Sequence, residues 1–211
     1  PAEAELVIRA YQDRARYHVA TECSNYILIF HNHGEAAGAS VSHPHSQIIA
    51  LPLIPPDVHR SLLGAEHFWK KNGNCAHCGV IEWELKKKER VIYRNKAFIV
   101  IAPFASHASF EVRIFPLGHA PRFEAIEKPD RLLFADALTS ALKRLKKVLK
   151  NPAYNFFIHT APVGKNSFDY YHWHLEILPK TAHLAGAELG TGIEVVTMPP
   201  EEAAAFLRNA L

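Results

Sequence analysis

The chain has 211 residues, 48% of them hydrophobic, with a formal net charge of +3. That length buries a real core, as one large domain or two modest ones. The charge is too small to argue for nucleic acid, and no apolar run approaches the ~20 residues of a membrane span, so neither is expected as a partner.

Leu6, Val7, Ile8, Ala10 and Tyr11 read as the remnant of a helix, and Asn25 to His31 as a flank that recurs later at Tyr154 to His159. The stretch from Asn32 to Ser40 is small and flexible. Gly34 and Gly38 permit close approach of backbone to a ligand, and Asn32 and Ser40 offer donors to phosphate oxygens. By itself it is an ordinary Gly-rich turn; it gains weight from the neighbouring Ser42-His43-Pro44-His45-Ser46-Gln47. Alternate side chains of an extended segment share a face, so His43, His45 and Gln47 are expected to look the same way. A hydrophobic core has little use for such a face, whereas a site that holds a metal and attacks a phosphate does. His45 is the candidate nucleophile, because a neutral imidazole attacks phosphorus and carries a nucleotidyl group covalently. Gln47 donates its amide to a phosphate oxygen but shuttles no proton at neutral pH. That favours leaving groups departing as phosphate esters, hence transfer over hydrolysis.

Pro52 to Asn74, through Pro55-Pro56 and Gly73, reads as a linker. Cys75-Ala76-His77-Cys78 comes next. Three cysteines make no disulfide framework, Cys23 reads as a buried small residue, and a C-x-x-C in a reducing compartment suggests metal. Structural zinc needs four ligands. Cys75 and Cys78 supply half, and His119 and His172 are the best candidates for the rest, with His107 and His183 remaining possible. Lys86 to Arg90 reads as an exposed turn, and Val91–Arg94, Ala97–Ile101 and Phe110–Phe115 as strands. A helical stripe runs from Leu132 to Leu149, with Asp130 placed to cap it and Asn151-Pro152 to stop it. The lysines Lys143, Lys146, Lys147 and Lys150 form its solvated face. Tyr154 to His159 resembles Asn25 to His31. Lys165, on the loop before Tyr171, is an exposed lysine within reach of an anionic substrate.

His172-Trp173-His174-Leu175-Glu176 then repeats the earlier pattern: His43 to His172, His45 to His174 and Gln47 to Glu176 all share one offset of 129. Internal duplication is the organising fact. Glu176, a carboxylate, repels phosphate, so the second copy reads as a zinc-stabilised structural partner. Counterparts of Cys75 and His119 fall before Pro1, which implies that the first repeat lacks its front half here. The expected domains are residues 1–63, the end of a first repeat with the catalytic motif, and 64–211, a second, zinc-binding repeat with a C-terminal tail. No secretory signal is visible, and a cytoplasmic location is expected.

These residues resemble the galactose-1-phosphate uridylyltransferase branch of the histidine-triad superfamily. The match rests on Asn32-x-Gly34-x-x-x-Gly38-x-Ser40 followed by His43-Pro44-His45-Ser46-Gln47 and covers nearly the whole chain. The resemblance implies an α+β fold of tandem histidine-triad repeats, antiparallel half-barrel sheets with packed helices, in a homodimer. It implies His45 as nucleophile, Gln47 holding the transferred phosphoryl group, His43 as a zinc ligand, and Asn32, Gly38 and Ser40 on phosphate, with Ser46 counted beside them. It also implies zinc on Cys75, Cys78, His119 and His172, and Glu188, from the tail, on the sugar phosphate. The expected activity is ping-pong nucleotidyl transfer between nucleotide sugars and sugar phosphates, of the UDP-glucose:hexose-1-phosphate type. Ser46 and the Cys/His set resemble ADP-glucose phosphorylase-like members, so adenylyl transfer is the alternative. A hydrolytic or purely binding histidine-triad protein is the reading from another class.

Overall fold

The computed structural model describes residues 2–20, 24–164, 166–182 and 185–211. Seven strands form one antiparallel sheet: β1 (Tyr26–His33), β2 (Ser46–Leu51), β3 (Val91–Arg94), β4 (Phe98–Ile101), β5 (Val112–Pro116), β6 (Tyr154–His159) and β7 (His174–Pro179). Their order across the sheet is β2-β1-β6-β7-β5-β4-β3. Among the described residues six α-helices accompany it: α1 (Ala2–Val19), α2 (Pro56–Asn72), α3 (Ala76–Lys87), α4 (Lys128–Val148), α5 (Gly186–Thr191) and α6 (Pro200–Arg208).

Strand alternation sorts the side chains into two layers. Ile27, Ile29, Phe98, Val100, Val112, Ile114, Phe156, Ile158, Leu175 and Ile177 turn to one face, where α1, α4 and α6 cover them with Ile8, Phe134, Leu138 and Leu207. Ile99, Ile101 and Phe115 turn to the other face and meet Ile81 of α3, and Tyr26 meets Val58 and Leu62 of α2. The order helix–strand–strand occurs twice, as α1-β1-β2 and α4-β6-β7, and the two meet where Ile29 pairs with Ile158 and Phe30 with Phe157.

Three local expectations are corrected. The segment expected as a linker is α2, a helix of 17 residues. Pro56 stands in its first turn, where the missing N–H costs nothing, and Gly73 ends it in the left-handed conformation (φ 73°). The proline and glycine read as breakers are the helix's own ends, and positions 63 and 64 lie inside it. The turn expected at Lys86–Arg90 is instead the end of α3, closed by Lys88 (φ 62°). Arg90 is buried there, bonded to Glu84 at 2.9 Å and to Glu201 at 2.7 Å. Helix α4 begins directly after Glu127, with Pro129 in its first turn, so Asp130 lies inside the helix and is not its cap; Glu127 at the N-cap position makes no side-chain cap bond. It stops as expected, with Lys150 and Asn151 at positive φ, and its four lysines face solvent.

Candidate active site and metal centre

Cys75 caps α3 and Cys78 lies one turn inside it, so the C-x-x-C aims both sulfurs past the helix start. His119 arrives from the loop after β5 and His172 from the segment entering β7. The four ligand atoms lie within 4.8 Å of one another. Cys78 Sγ stands 3.4 Å from His119 Nδ1 and 3.5 Å from His172 Nδ1. A tetrahedron with zinc's bond lengths has a sulfur-to-nitrogen edge of roughly 3.6 Å, so the residues fit such an ion. His172 Nε2–H donates to the Pro116 carbonyl at 3.1 Å, which leaves the Nδ1 lone pair facing the sulfurs. Burial, with His119 nearby, pushes His172 down to about 4, so this ring is neutral and ready to ligate. Burial and the adjacent Cys75 push the Cys78 thiol up to about 12, so a cation must displace its proton. His107 stands apart from this set, and His183 lies outside the described residues.

The transfer motif straddles the start of β2. That strand begins at Ser46, so His43 and His45 precede the pleat and do not continue the alternation of Gln47. His43 is exposed and lines a cavity of about 640 Å³ with Asn32 and Ser40. Asn155 Nδ2 donates to Asn32 Oδ1 at 2.7 Å, which holds that amide with its own N–H groups outward. Gly38 closes the turn between them at φ 80°, a conformation glycine adopts without strain. His45 is half-buried and borders a second cavity, about 660 Å³, beneath α1. Gln47 is exposed on the opposite face of the edge strand and lines neither cavity.

His45 Nδ1 lies 3.3 Å from the His43 carbonyl, and in the later copy His174 Nδ1 lies 3.1 Å from the His172 carbonyl. A carbonyl only accepts, so in both rings Nδ1 carries the hydrogen and Nε2 the lone pair. The surroundings differ. His174 is 4% exposed, stacked on Phe115 and His159, and burial holds it far below its usual value.

Around it sequence reasoning missed a charged network. Arg113 pairs with Glu111 at 2.7 Å and with Glu176 at 3.1 Å. His107 reaches Glu111 at 3.4 Å and Glu176 at 3.7 Å, and these carboxylates raise it to about 10. Burial opposes the Glu176 charge, but the close approach of His107 and His159 and the Arg113 guanidinium outweigh it and hold the carboxyl well below its ordinary 4.5. The signal available was Arg113, a cation alternating with Val112 and Ile114 in a core strand.

Two further substrate expectations fall elsewhere. Ser46 turns its hydroxyl to Tyr11 and His31, on the α1 face. Glu188 caps its own helix α5, accepting from the Ala185 N–H at 3.0 Å. Lys165 lies outside the described residues; Arg122 donates to the carbonyls of Pro162, Gly164 and Asn166.

Residues 1–55 match the family described as galactose-1-phosphate uridyl transferase, N-terminal domain. The chain is 35% identical over 205 residues to the ADP-glucose phosphorylase of Arabidopsis thaliana, covering 96% of this chain and 57% of that protein. A solved GALT-like protein from Arabidopsis thaliana superposes with a TM-score of 0.91 at 34% identity, over 98% of this chain and 68% of the other. A solved uridylyltransferase mutant gives 0.93 at 31% identity, over 99% and 70%. The chain thus spans little more than half the length of the curated Arabidopsis relative.

Proposed function

This chain belongs to the galactose-1-phosphate uridylyltransferase family, and from that premise we propose that it carries the transfer motif of a ping-pong nucleotidyltransferase. The observation that carries the reading is the His45 ring, whose Nδ1–H is committed to the His43 carbonyl and whose Nε2 lone pair is free. Nε2 attacks the α-phosphorus of a nucleotide sugar. A P–N bond forms, the P–O bond to the sugar phosphate breaks, and the sugar phosphate leaves with the electron pair. An incoming phosphate oxygen then attacks the same phosphorus, the P–N bond breaks, and the neutral imidazole returns. No proton need move to the leaving group, which suits an amide at Gln47. Asn32, Gly38 and Ser40 form the phosphate cradle; Gln47 is assigned to the transferred phosphoryl group although its side chain stands on the face of β2 opposite to the cavity beside His45, and Lys165 and Glu188 are assigned to substrate although Glu188 caps α5 in this fold.

Zinc is the ion assigned to Cys75, Cys78, His119 and His172. It supplies structural cross-linking there, and His43 is assigned to a further zinc. Residues 1–63 carry the transfer motif and 64–211 the zinc-binding unit with its tail, as two histidine-triad repeats in a homodimer in the cytoplasm. UDP-hexose with hexose 1-phosphate is the leading substrate pair. The identity to ADP-glucose phosphorylase favours a second reading, adenylyl transfer from ADP-glucose to phosphate.

The test incubates the full-length protein with UDP-glucose and ADP-glucose, each labelled in the nucleotide, and traps the protein. Label on the wild type that His45→Ala abolishes is expected, and the donor that labels names the base. An adduct that survives His45→Ala removes the proposal.

A further inference from the structure

Ser46 stands between the proposed nucleophile and Gln47, and its side chain borders, with His45, the cavity beneath α1 that Gln47 does not line. Its hydroxyl receives two partners at once: the Tyr11 phenol, in close contact, and His31 Nδ1 at 3.1 Å. Tyr11 comes from α1 and is 6% exposed; His31 comes from β1, directly opposite Ser46 in the register, and is 8% exposed. The His31 ring is itself immobilised, stacked on Phe156 at 5.0 Å with planes 13° apart. Burial raises Tyr11 and lowers His31, so phenol and imidazole are both uncharged at neutral pH. The later copy has no such arrangement. At the shared offset of 129, Ser46 corresponds to Leu175, and the residue paired opposite Leu175 is Ile158, where the first hairpin has His31 opposite Ser46; Leu175 and Ile158 are both buried core residues. A polar clamp therefore occurs in the copy with the open His-x-Gln, and apolar packing in the copy with Glu176.

We propose that Tyr11 and His31 are positioning residues that hold the His45–Gln47 segment through the Ser46 hydroxyl. The inference deepens the transferase reading and rests on it for its catalytic consequence. Two hydrogen bonds to one side chain fix its rotamer and hence the peptide planes on both sides of Ser46. Those planes set where the His45 ring points. Misplacement by about 1 Å costs roughly 100-fold in rate, whereas ground-state affinity, spread over the whole nucleotide sugar, is little changed.

The experiment uses the full-length protein with Tyr11→Phe, Ser46→Ala and the double variant, none of which removes a buried apolar group. Single-turnover labelling by the nucleotide sugar is expected to slow roughly 10- to 100-fold in each single variant. Affinity for the nucleotide sugar stays within about twofold, and the double variant is no slower than the worse single one, because both break the same contact. Amide hydrogen exchange at residues 45–47 is the second readout and needs no turnover: it should speed up about tenfold or more in both variants, with β6 unchanged. If exchange rises while the wild type forms no adduct, the clamp stands and the transferase reading falls. Exchange unchanged at 45–47, labelling within twofold of wild type, or losses that add in the double variant each overturn the clamp.

Discussion

The two histidines that end the His-x-His pairs make the same backbone hydrogen bond and yet sit in opposite settings. His45 is half-buried beside open space, while His174 lies under rings with Glu176 in front of it. The residue two positions beyond each histidine accounts for much of this. Gln47 is neutral and exposed, whereas Glu176 brings a charge into the sheet interior and requires Arg113, His107 and His159 to balance it. Glu176→Gln is expected to cost about 2–3 kcal/mol at neutral pH, the scale of a hydrogen bond to a charged group. The folded carboxyl titrates below 4.5, so its stabilisation is present above that value and fades as pH falls through the lower, folded one. Denaturant unfolding of wild type and variant from pH 7 downward should therefore converge in acid. A gap that persists or widens there means the charge of Glu176 is not what stabilises. The residue types of both motifs were legible in the sequence; Arg113, His107, Tyr11 and His31 were not, because each acts through a neighbour distant in the chain.

Helices and strands were easier to foresee where an apolar stripe ran long, as in α4, than where breakers framed a short one, as in α2. The spacing of Val58, Leu62 and Ala65 is helical, but Pro55-Pro56 and Gly73 outweighed it on inspection. Two glycines separate the roles such residues play. Gly73 adopts φ 73° with open space around it, whereas at Gly34, φ 82°, an added Cβ would come within 2.9 Å of Ala153 Cβ. Gly73→Ala should cost about 1 kcal/mol for backbone strain, and Gly34→Ala about 2–3 kcal/mol once the overlap with Ala153 is included. Thermal unfolding compares them directly, and equal losses would show that the close approach at Gly34 relaxes freely. Gly34 also orders the turn between Asn32 and His43, so its variant should be the one that disturbs the phosphate cradle.

For the molecule as a whole, the Cys75–Cys78–His119–His172 set ties the start of α3, the loop after β5 and the entry to β7 into one knot, on the side of the sheet away from α1 and α4. A cation bound there would hold segments that are far apart in sequence, which is where cross-linking gains most against chain entropy. Stripping metal with a chelator is expected to lower the melting temperature on the order of 10 °C. Adding zinc back to the stripped protein at neutral pH should release protons, that of the Cys78 thiol among them. An unshifted transition after verified metal removal would deny the ion its structural role. The sheet itself runs unbroken from β2 to β3, so the two helix–strand–strand units share one core.

Local pattern alone determined the transfer motif, the chelating cysteine pair, the copy of the motif 129 residues on and most strands, because each depends on spacing within a few residues. Which histidines join the cysteines, which way Ser46 turns, and how a buried Glu176 is balanced were decided by the packed fold. Those contacts join groups 15 residues apart, as His31 and Ser46, 35 apart, as Tyr11 and Ser46, and 94 apart, as Cys78 and His172. At such separations nothing in the local sequence specifies the partner; only the sheet register and the helices laid across it bring the groups together.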